Sequence, residues 1–327
     1  MSWFEDLAGV SEGDEGAVRA AFDVEGHTLV SQTTGRRMQA GQLTVPSLNE
    51  LRQSPPPSRG KNKLCEMVAD VTALHVDPEN AGAVFQVASQ FNLLEMIGPS
   101  VSPADGITGY EYDRTQGPAC AIACGAGTIW RNYFTTLSGD LGQCRKQIDS
   151  LADMGRALGN ESGAIWRMQN GYVLPGEKAL AQLRGRILRM NEAGRDEIRS
   201  LLRIGLQQNT EVTVAGGGSL VSQVYASALP VAYSNLPEWD WEPFARLVLE
   251  AAYEATLRIA AQNASEGTSD KLFLTLLGGG AFGNRTEWIT DAIDYALRRV
   301  NDAGLDVTIV SYGQSQPALA RLLSVYS

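Results

Sequence analysis

An apolar run that stops at three glycines, KLFLTLLGGGAFGN (Lys271 to Asn284), passes directly into the helical pattern TEWITDAIDYALRRVNDAG, and no other segment restricts this chain as much. The run reads as a buried strand, and the apolar spacing from Thr286 onward reads as an amphipathic helix. Strand, glycine turn and helix in that order make half of a βαβ unit, which commits the chain to a layered α/β architecture with a mainly parallel sheet. The remainder of the C-terminal portion has the same texture. Strands are predicted at 67–75 (MVADVTALH), 83–89 (AVFQVAS), 210–216 (TEVTVAG), 221–229 (VSQVYASAL), 271–277 and 306–312 (DVTIVSY). Helices are predicted at 119–134 (ACAIACGAGTIWRNYF), whose small residues suit close packing, at 243–262 and at 286–304.

Two segments depart from that texture. Residues 1–60 read as a peripheral N-terminal cap: a short helical piece, a hairpin around SQTTGRRMQAGQLTV and the breaker SPPPSRG. Residues from about 141 to 208 are charged and helix-prone, are broken by a turn-like QNG, and read as an inserted helical hairpin. With 327 residues, 44% hydrophobic and 20% charged, one decorated domain over 61–327 accommodates the pattern.

Charge and composition remove several function classes. A formal net charge of -10, with no basic patch beyond the GRR at 35–37, argues against a nucleic-acid partner. The acidic start MSWFEDLAGVSEGDEG lacks an apolar signal core, and no stretch nears the ~18 apolar residues of a membrane helix, so a cytoplasmic protein without a membrane partner is expected. Cys65, Cys120, Cys124 and Cys144 form no CxxC, and His27 and His75 stand far from the Cys120/Cys124 pair. Neither a metal, a disulfide nor a cofactor is expected.

The glycines between strand and helix have a physical reading. In doubly wound sheets ligands gather at the carboxyl ends of strands, and free amides at a helix start favour anions by roughly 0.3 to 2 kcal/mol. Gly278, Gly279, Gly280, Ala281, Phe282, Gly283 and Asn284 would then cradle a phosphate on their amides. The alternative is a tight turn whose glycines answer only a need for positive φ. The loop is no P-loop, lacking GKS or GKT, and it stands too late in the chain for a Rossmann fingerprint.

The order ADVTALHVDPENAGAVFQVASQFNLLE, an Ala/Gly-rich helix, VSQVYASALPVAY, a Trp-bearing loop, a long helix, LFLTLLGGGAFGN and LDVTIVSYG resembles a macrodomain of the ADP-ribose-binding class. In that family a G-D-I-T signature precedes a strand ending in N-A-A-N, and a late glycine loop with a central aromatic wraps the diphosphate. Ala69-Asp70-Val71-Thr72 matches the first signature, Ser89-Gln90-Phe91-Asn92 stands in for the second, and Gly280-Ala281-Phe282-Gly283 matches the third. The run DGITGYEYDRTQGPACAIACGAGTIWRNYF is more similar to the macro-like hydrolases of the MavL type, which act on ADP-ribosylated arginine. The resemblance covers about Leu64 to the C-terminus, minus the insertion. It implies a macrodomain-like fold and ADP-ribose or an ADP-ribosylated protein as partner. It also implies that Asp70 accepts from the adenine amino group, that Gln90, Phe91 and Asn92 lie beside the distal ribose, and that Phe282 lies against or closes over that ribose.

Two acidic loops supply candidates for the chemistry. Asp105, Glu111 and Asp113 precede the Ala/Gly-rich helix, so their carboxylates are expected near its N-terminus, where Gln116 and Gly117 offer amides to phosphate. Any one of these acids has the alternative of capping that helix from a solvated loop. Glu238, Asp240 and Glu242 alternate with Trp239 and Trp241, a composition suited to a cation such as an arginine side chain. Alternatively the same acids sit at the start of the long helix, favoured by its dipole. The expected reaction is hydrolysis of the N-glycosidic bond between ribose C1 and a guanidino nitrogen, with one carboxylate activating water. A non-catalytic ADP-ribose reader would keep the glycine loop and Asp70 but needs no acids near the distal ribose, and a partner-binding protein is the third possibility.

Overall fold

The computed structural model describes residues 1–55, 57–137 and 139–326; Pro56, inside the SPPPSRG breaker, lies outside them. The N-terminal segment holds α1 (Trp3–Ala8), α2 (Glu15–Ala20), β1 (Phe22–Glu25), β2 (Thr28–Ser31), β3 (Arg37–Gln39), β4 (Gln42–Thr44) and α3 (Leu48–Arg52). There follow β5 (Lys63–Val68), α4 (Val71–Val76), β6 (Val84–Ala88), α5 (Gln116–Ala123), α6 (Gly125–Ile129) and a two-residue ribbon, β7 (Thr136–Leu137) with β8 (Asp140–Leu141). The middle of the chain forms α7 (Ala152–Ala157), β9 (Trp166–Gln169), β10 (Tyr172–Pro175), α8 (Glu177–Arg189), α9 (Glu192–Ser200), β11 (Gly205–Glu211) and β12 (Leu220–Ala226). It ends with α10 (Glu238–Ser265), β13 (Lys271–Leu274), α11 (Thr286–Arg299), β14 (Asp306–Ser311) and α12 (Ala320–Tyr326).

The central sheet runs β4-β11-β12-β6-β13-β14-β5. Pairings from β12 through β6, β13 and β14 to β5 are parallel, and those of β11 with β4 and β12 are antiparallel. This is the mixed, mainly parallel sheet flanked by helices that the alternating texture predicts. Because the parallel strands share one direction, Val68, Ala88, Ala226, Leu274 and Ser311 all end on the same edge. Side chains alternate between the faces. Val84 packs with α10 and α11, whereas Phe85 and Val87 pack under α4 and α5. A further apolar cluster joins Phe4, Leu7, Leu29 and Met38 of the N-terminal segment to Ala126 and Ile129 of α6, each large side chain contributing about 1.5 to 3 kcal/mol.

Several element boundaries differ from those expected. The stretch 67–75 is not a strand: β5 ends at Val68, and the Asp70 carboxylate accepts from Thr72 N at 2.7 Å, starting α4. The strand expected at 210–216 lies earlier, because Asn209 takes φ 55 within a register shift and Val212 closes a turn onto Ser219. The helix expected at 119–134 is broken at Cys124: Gly125 gives its amide to Thr213 Oγ1 at 2.8 Å, and α1 lies so near that a Cβ on Gly125 would come within 2.4 Å of Leu7. The helix predicted at 243–262 starts earlier, at Glu238, and keeps Pro243 inside it. The inserted block is not helical throughout, since Asn170 and Gly171 both take positive φ and turn β9 into β10. In the N-terminal segment β1, β2 and β3 form their own sheet, and β4 extends the central one.

Candidate active site

Strands β6 and β13 pair only at Val84–Leu272 and Phe85–Phe273. Beyond that point they part around a cavity of about 170 Å³. It is lined by the chain leaving β6 (Ala88, Ser89, Gln90), by Glu95, Asp113 and the first turn of α5, and by residues 275–278 and 280–282 of the glycine loop. Tyr172 and Tyr233 complete the lining.

The glycine loop separates into glycines the protein itself requires and one it does not. Gly278 has φ +74, and a Cβ there would lie 2.4 Å from Ala228 Cβ; Gly283 has φ +70, and its Cβ would lie 2.8 Å from Ala232 Cβ. A Cβ on Gly279 would press on Ile289 at 3.1 Å. Gly280 needs no left-handed φ and has nothing within 4 Å of its Cβ position, yet it lines the cavity. The loop is pinned by Gly279 N to Leu276 O, Gly283 N to Gly280 O, Asn284 N to Gly278 O and Ala232 N to Phe282 O. Among the described residues the amides of Gly278, Gly280, Ala281 and Phe282 donate to no protein acceptor, which leaves a run of free donors suited to an anion.

The first turn of α5 is welded to the end of β6. Gln116 Oε1 accepts from Ala88 N at 2.9 Å and its Nε2 donates to Gln86 O at 2.8 Å, continuing the strand's hydrogen bonding with a side chain. Gly117 lies so close that a Cβ would stand 1.9 Å from Ala88 O. Gly117→Ala is therefore expected to cost at least about 3 kcal/mol, because backbone must move on both sides of the contact; thermal denaturation checks it.

Two carboxylates line the cavity. Asp113 is half-buried, and its Oδ1 accepts from Thr115 N at 2.9 Å. Glu95 is 2% exposed and faces Arg131 Nη2 at 3.2 Å; the guanidinium lies 3.6 Å over the Tyr225 ring and donates to Leu93 O at 3.0 Å. Burial pushes Glu95 up to about 7, against the pull of Arg131. The folded chain therefore keeps this proton longer than the unfolded chain. The stability tied to it is complete below about pH 4.5 and is lost as pH rises to about 7. Unfolding free energy from urea titrations is expected to fall by about 2 to 3 kcal/mol more across that window in the wild type than in Glu95→Gln.

Tyr172, Tyr233 and Phe282 form a three-ring rim with centroids 5.1, 5.4 and 5.6 Å apart. Tyr172 comes from the β9–β10 hairpin and donates to Met96 O at 2.8 Å. Neither Tyr172 nor Glu95 was singled out by sequence reasoning. The available signals were an acid in the apolar stretch FNLLEMIG and an NG turn immediately before the tyrosine.

Of the residues predicted for the site, Gln90, Asp113, Gln116, Gly278, Gly280, Ala281 and Phe282 line the cavity. Gln90 Oε1 holds Met96 N at 2.8 Å, while its Nε2 has no protein partner among the described residues. Phe91 is 1% exposed in the core, and Asn92 is fully buried, donating to Gln147 Oε1 at 2.9 Å. Asn284 is buried too, donating to Leu229 O at 2.8 Å. Gly279 and Gly283 shape the loop from outside the cavity lining. Asp70, as the cap of α4, sits exposed at the end of β5, and Val71 is buried in the helix behind it. Ala69 N donates to Ser311 O at the end of β5, and Tyr312, the residue after Ser311, is 81% exposed.

The remaining acids do not reach the cavity. Asp105 accepts from Ser102 N and Oγ, closing its own turn, and Glu111 accepts from Trp3 N. Glu238 pairs with Arg285 at 2.6 Å, Glu242 with Arg246 at 2.8 Å, and Asp240 faces Arg184 at 3.8 Å. The expected cage for a cation is absent because α10 already begins at Glu238: the acids lie in its first turns, where its dipole favours them, and Trp241 turns inward, fully buried. A second cavity of about 310 Å³ beside them is lined by arginines, but Arg199 and Arg246 already pair with Glu250, Glu192, Glu242 and Asp291. Among the described residues no cluster of three or more His, Cys, Asp or Glu side chains is placed to hold a metal, and no helix is long and apolar enough to cross a membrane.

No protein-family model matches the chain, and no curated protein sequence matches it. Among solved structures it is similar to the poly(ADP-ribose) glycohydrolase of Deinococcus radiodurans in complex with ADP-ribose, at 13% identity and a TM-score of 0.49, over 87% of this chain and 95% of the other. It is also similar to the poly(ADP-ribose) glycohydrolase of Thermomonospora curvata bound to the inhibitor ADP-HPD, at 12% identity and a TM-score of 0.44, over 94% and 95% of the two chains. At such identities those ligands are properties of those enzymes.

Proposed function

We propose that the chain binds ADP-ribose along the C-terminal edge of its parallel strands and hydrolyses the bond between the distal ribose and a modified protein side chain, an arginine in the specific reading. The observation that carries this is Gly280: a glycine with no steric or torsional need, beside unpaired amides, in a cavity that Asp113 also lines. Strands β6, β13, β14 and β5 are neighbours, so the cavity, between β6 and β13, stands about 12 Å from the end of β5, at about 4.8 Å per strand. An extended nucleoside-diphosphate sugar bridges that span. The adenine end goes to Asp70 and Tyr312, the diphosphate to the amides of 278–282, and the distal ribose to the space between Gln90, Asp113 and the ring of Phe282.

Hydrolysis then needs little from the protein beyond placement and one base. The C1–N bond breaks with its electron pair going to nitrogen. Water adds to C1 and gives its proton to the Asp113 carboxylate, which passes it to the departing guanidine. A non-catalytic ADP-ribose reader is the second reading, favoured by the withdrawal of Glu238, Asp240 and Glu242 into ion pairs outside the cavity.

Incubation with arginine-, serine- and glutamate-linked ADP-ribosylated proteins and with ADP-ribose polymer, reading free ADP-ribose, separates these readings. Release from the arginine link alone is expected. Release from another link instead removes the arginine assignment, binding without release makes the protein a reader, and absence of binding overturns both.

A further inference from the structure

We infer that Glu12 is a positioning residue for Asp113, acting as a clamp by which the N-terminal segment holds the loop that carries the cavity's carboxylate; this rests on the hydrolase reading above. The Glu12 carboxylate accepts from Ile107 N at 2.9 Å, from Thr108 N at 2.7 Å and from the Tyr133 hydroxyl at 2.5 Å. The loop is shaped around this anion. Gly106 has φ +89, and a Cβ there would lie 2.6 Å from Glu12 Oε2, so only glycine leaves the carboxylate its place. Trp3 adds a second tie, its Nε1 donating to Thr108 O at 3.2 Å. Ile107 and Tyr110 are drawn into the same apolar cluster as Phe4 and Leu7.

Tyr110 passes that restraint on to the cavity. Its carbonyl accepts from Asp113 N at 3.1 Å, and its hydroxyl accepts from Glu95 N at 2.9 Å. Both carboxylates in the cavity wall therefore take their positions from a turn whose start is held by Glu12, 101 residues before Asp113 in the chain. A loop between Pro103 and Gln116 with those two amides released would still carry Asp113 but would no longer hold it in one pose.

Full-length Glu12→Ala and Glu12→Gln, and Glu12→Ala in an Asp113→Asn background, test this. Amide hydrogen exchange across 106–113 is expected to quicken about tenfold in Glu12→Ala, less in Glu12→Gln, with the remainder of the chain unchanged. Affinity for ADP-ribose stays within about threefold while kcat falls at least about tenfold, and Glu12→Ala causes no further fall once Asp113 is Asn. Unchanged exchange, exchange that rises throughout the chain, quickened exchange with unchanged kcat, or additive losses in the double variant each overturn the clamp. A wild type without turnover removes the hydrolase reading instead, and the exchange measurement still decides whether Glu12 holds the loop.

Discussion

Gly280→Val is expected to weaken ADP-ribose binding at least about a hundredfold, or about 2.7 kcal/mol, while leaving the melting temperature almost unchanged. A Cβ at 280 meets no protein atom within 4 Å and needs no unusual φ, so the folded state tolerates it. Gly280 lines a cavity of about 170 Å³, from which even a few methyl groups displace a large share of any ligand. The neighbouring glycine behaves oppositely. Gly278→Ala must hold φ +74 and overlap Ala228 at 2.4 Å, so it should lower stability by at least about 2 kcal/mol. Calorimetric titration with ADP-ribose and thermal denaturation on the two variants separate the effects. Wild-type affinity in Gly280→Val would mean that the loop grips nothing.

The second large effect is expected at Asp113. Asp113→Asn should reduce turnover by a factor of about 10² to 10⁴, the usual range for losing a positioned general base, with ADP-ribose affinity within about threefold. Glu242→Gln and Asp240→Asn are expected to change turnover by less than about twofold, because these side chains face Arg246 and Arg184 and not the cavity. A reversal of that order would return the chemistry to the start of α10 and abolish the role given to Asp113. Turnover measured on one ADP-ribosylated substrate under single-turnover conditions decides it.

The acidic loops illustrate how far residue type and spacing carry an argument. Both loops are rich in carboxylates and both were plausible sources of the base, yet only Asp113 reaches the cavity. What separates them is where helices begin. Thr115 and Gln116 open α5 against β6, which aims the residues just before them at the strand ends. Glu238 opens α10, which turns its acids along the outside of the helix, Glu238 and Asp240 toward Arg285 and Arg184 distant in sequence and Glu242 toward Arg246 one turn on. Helix starts are set by capping and by tertiary contact together, and only the first leaves a local signal.

Taken alone, the amino-acid order determined strands β6, β12, β13 and β14, helices α10 and α11, the mainly parallel character of the sheet and the glycine loop at the end of β13, because apolar periodicity and glycine placement are local properties of the chain. Tertiary structure alone decided that Glu95 and Tyr172 join that loop and that Glu12 braces the turn before Asp113. These are meetings of residues tens to hundreds of positions apart. They are created by which strands pair and by where backbone comes within van der Waals reach, and no periodicity records them.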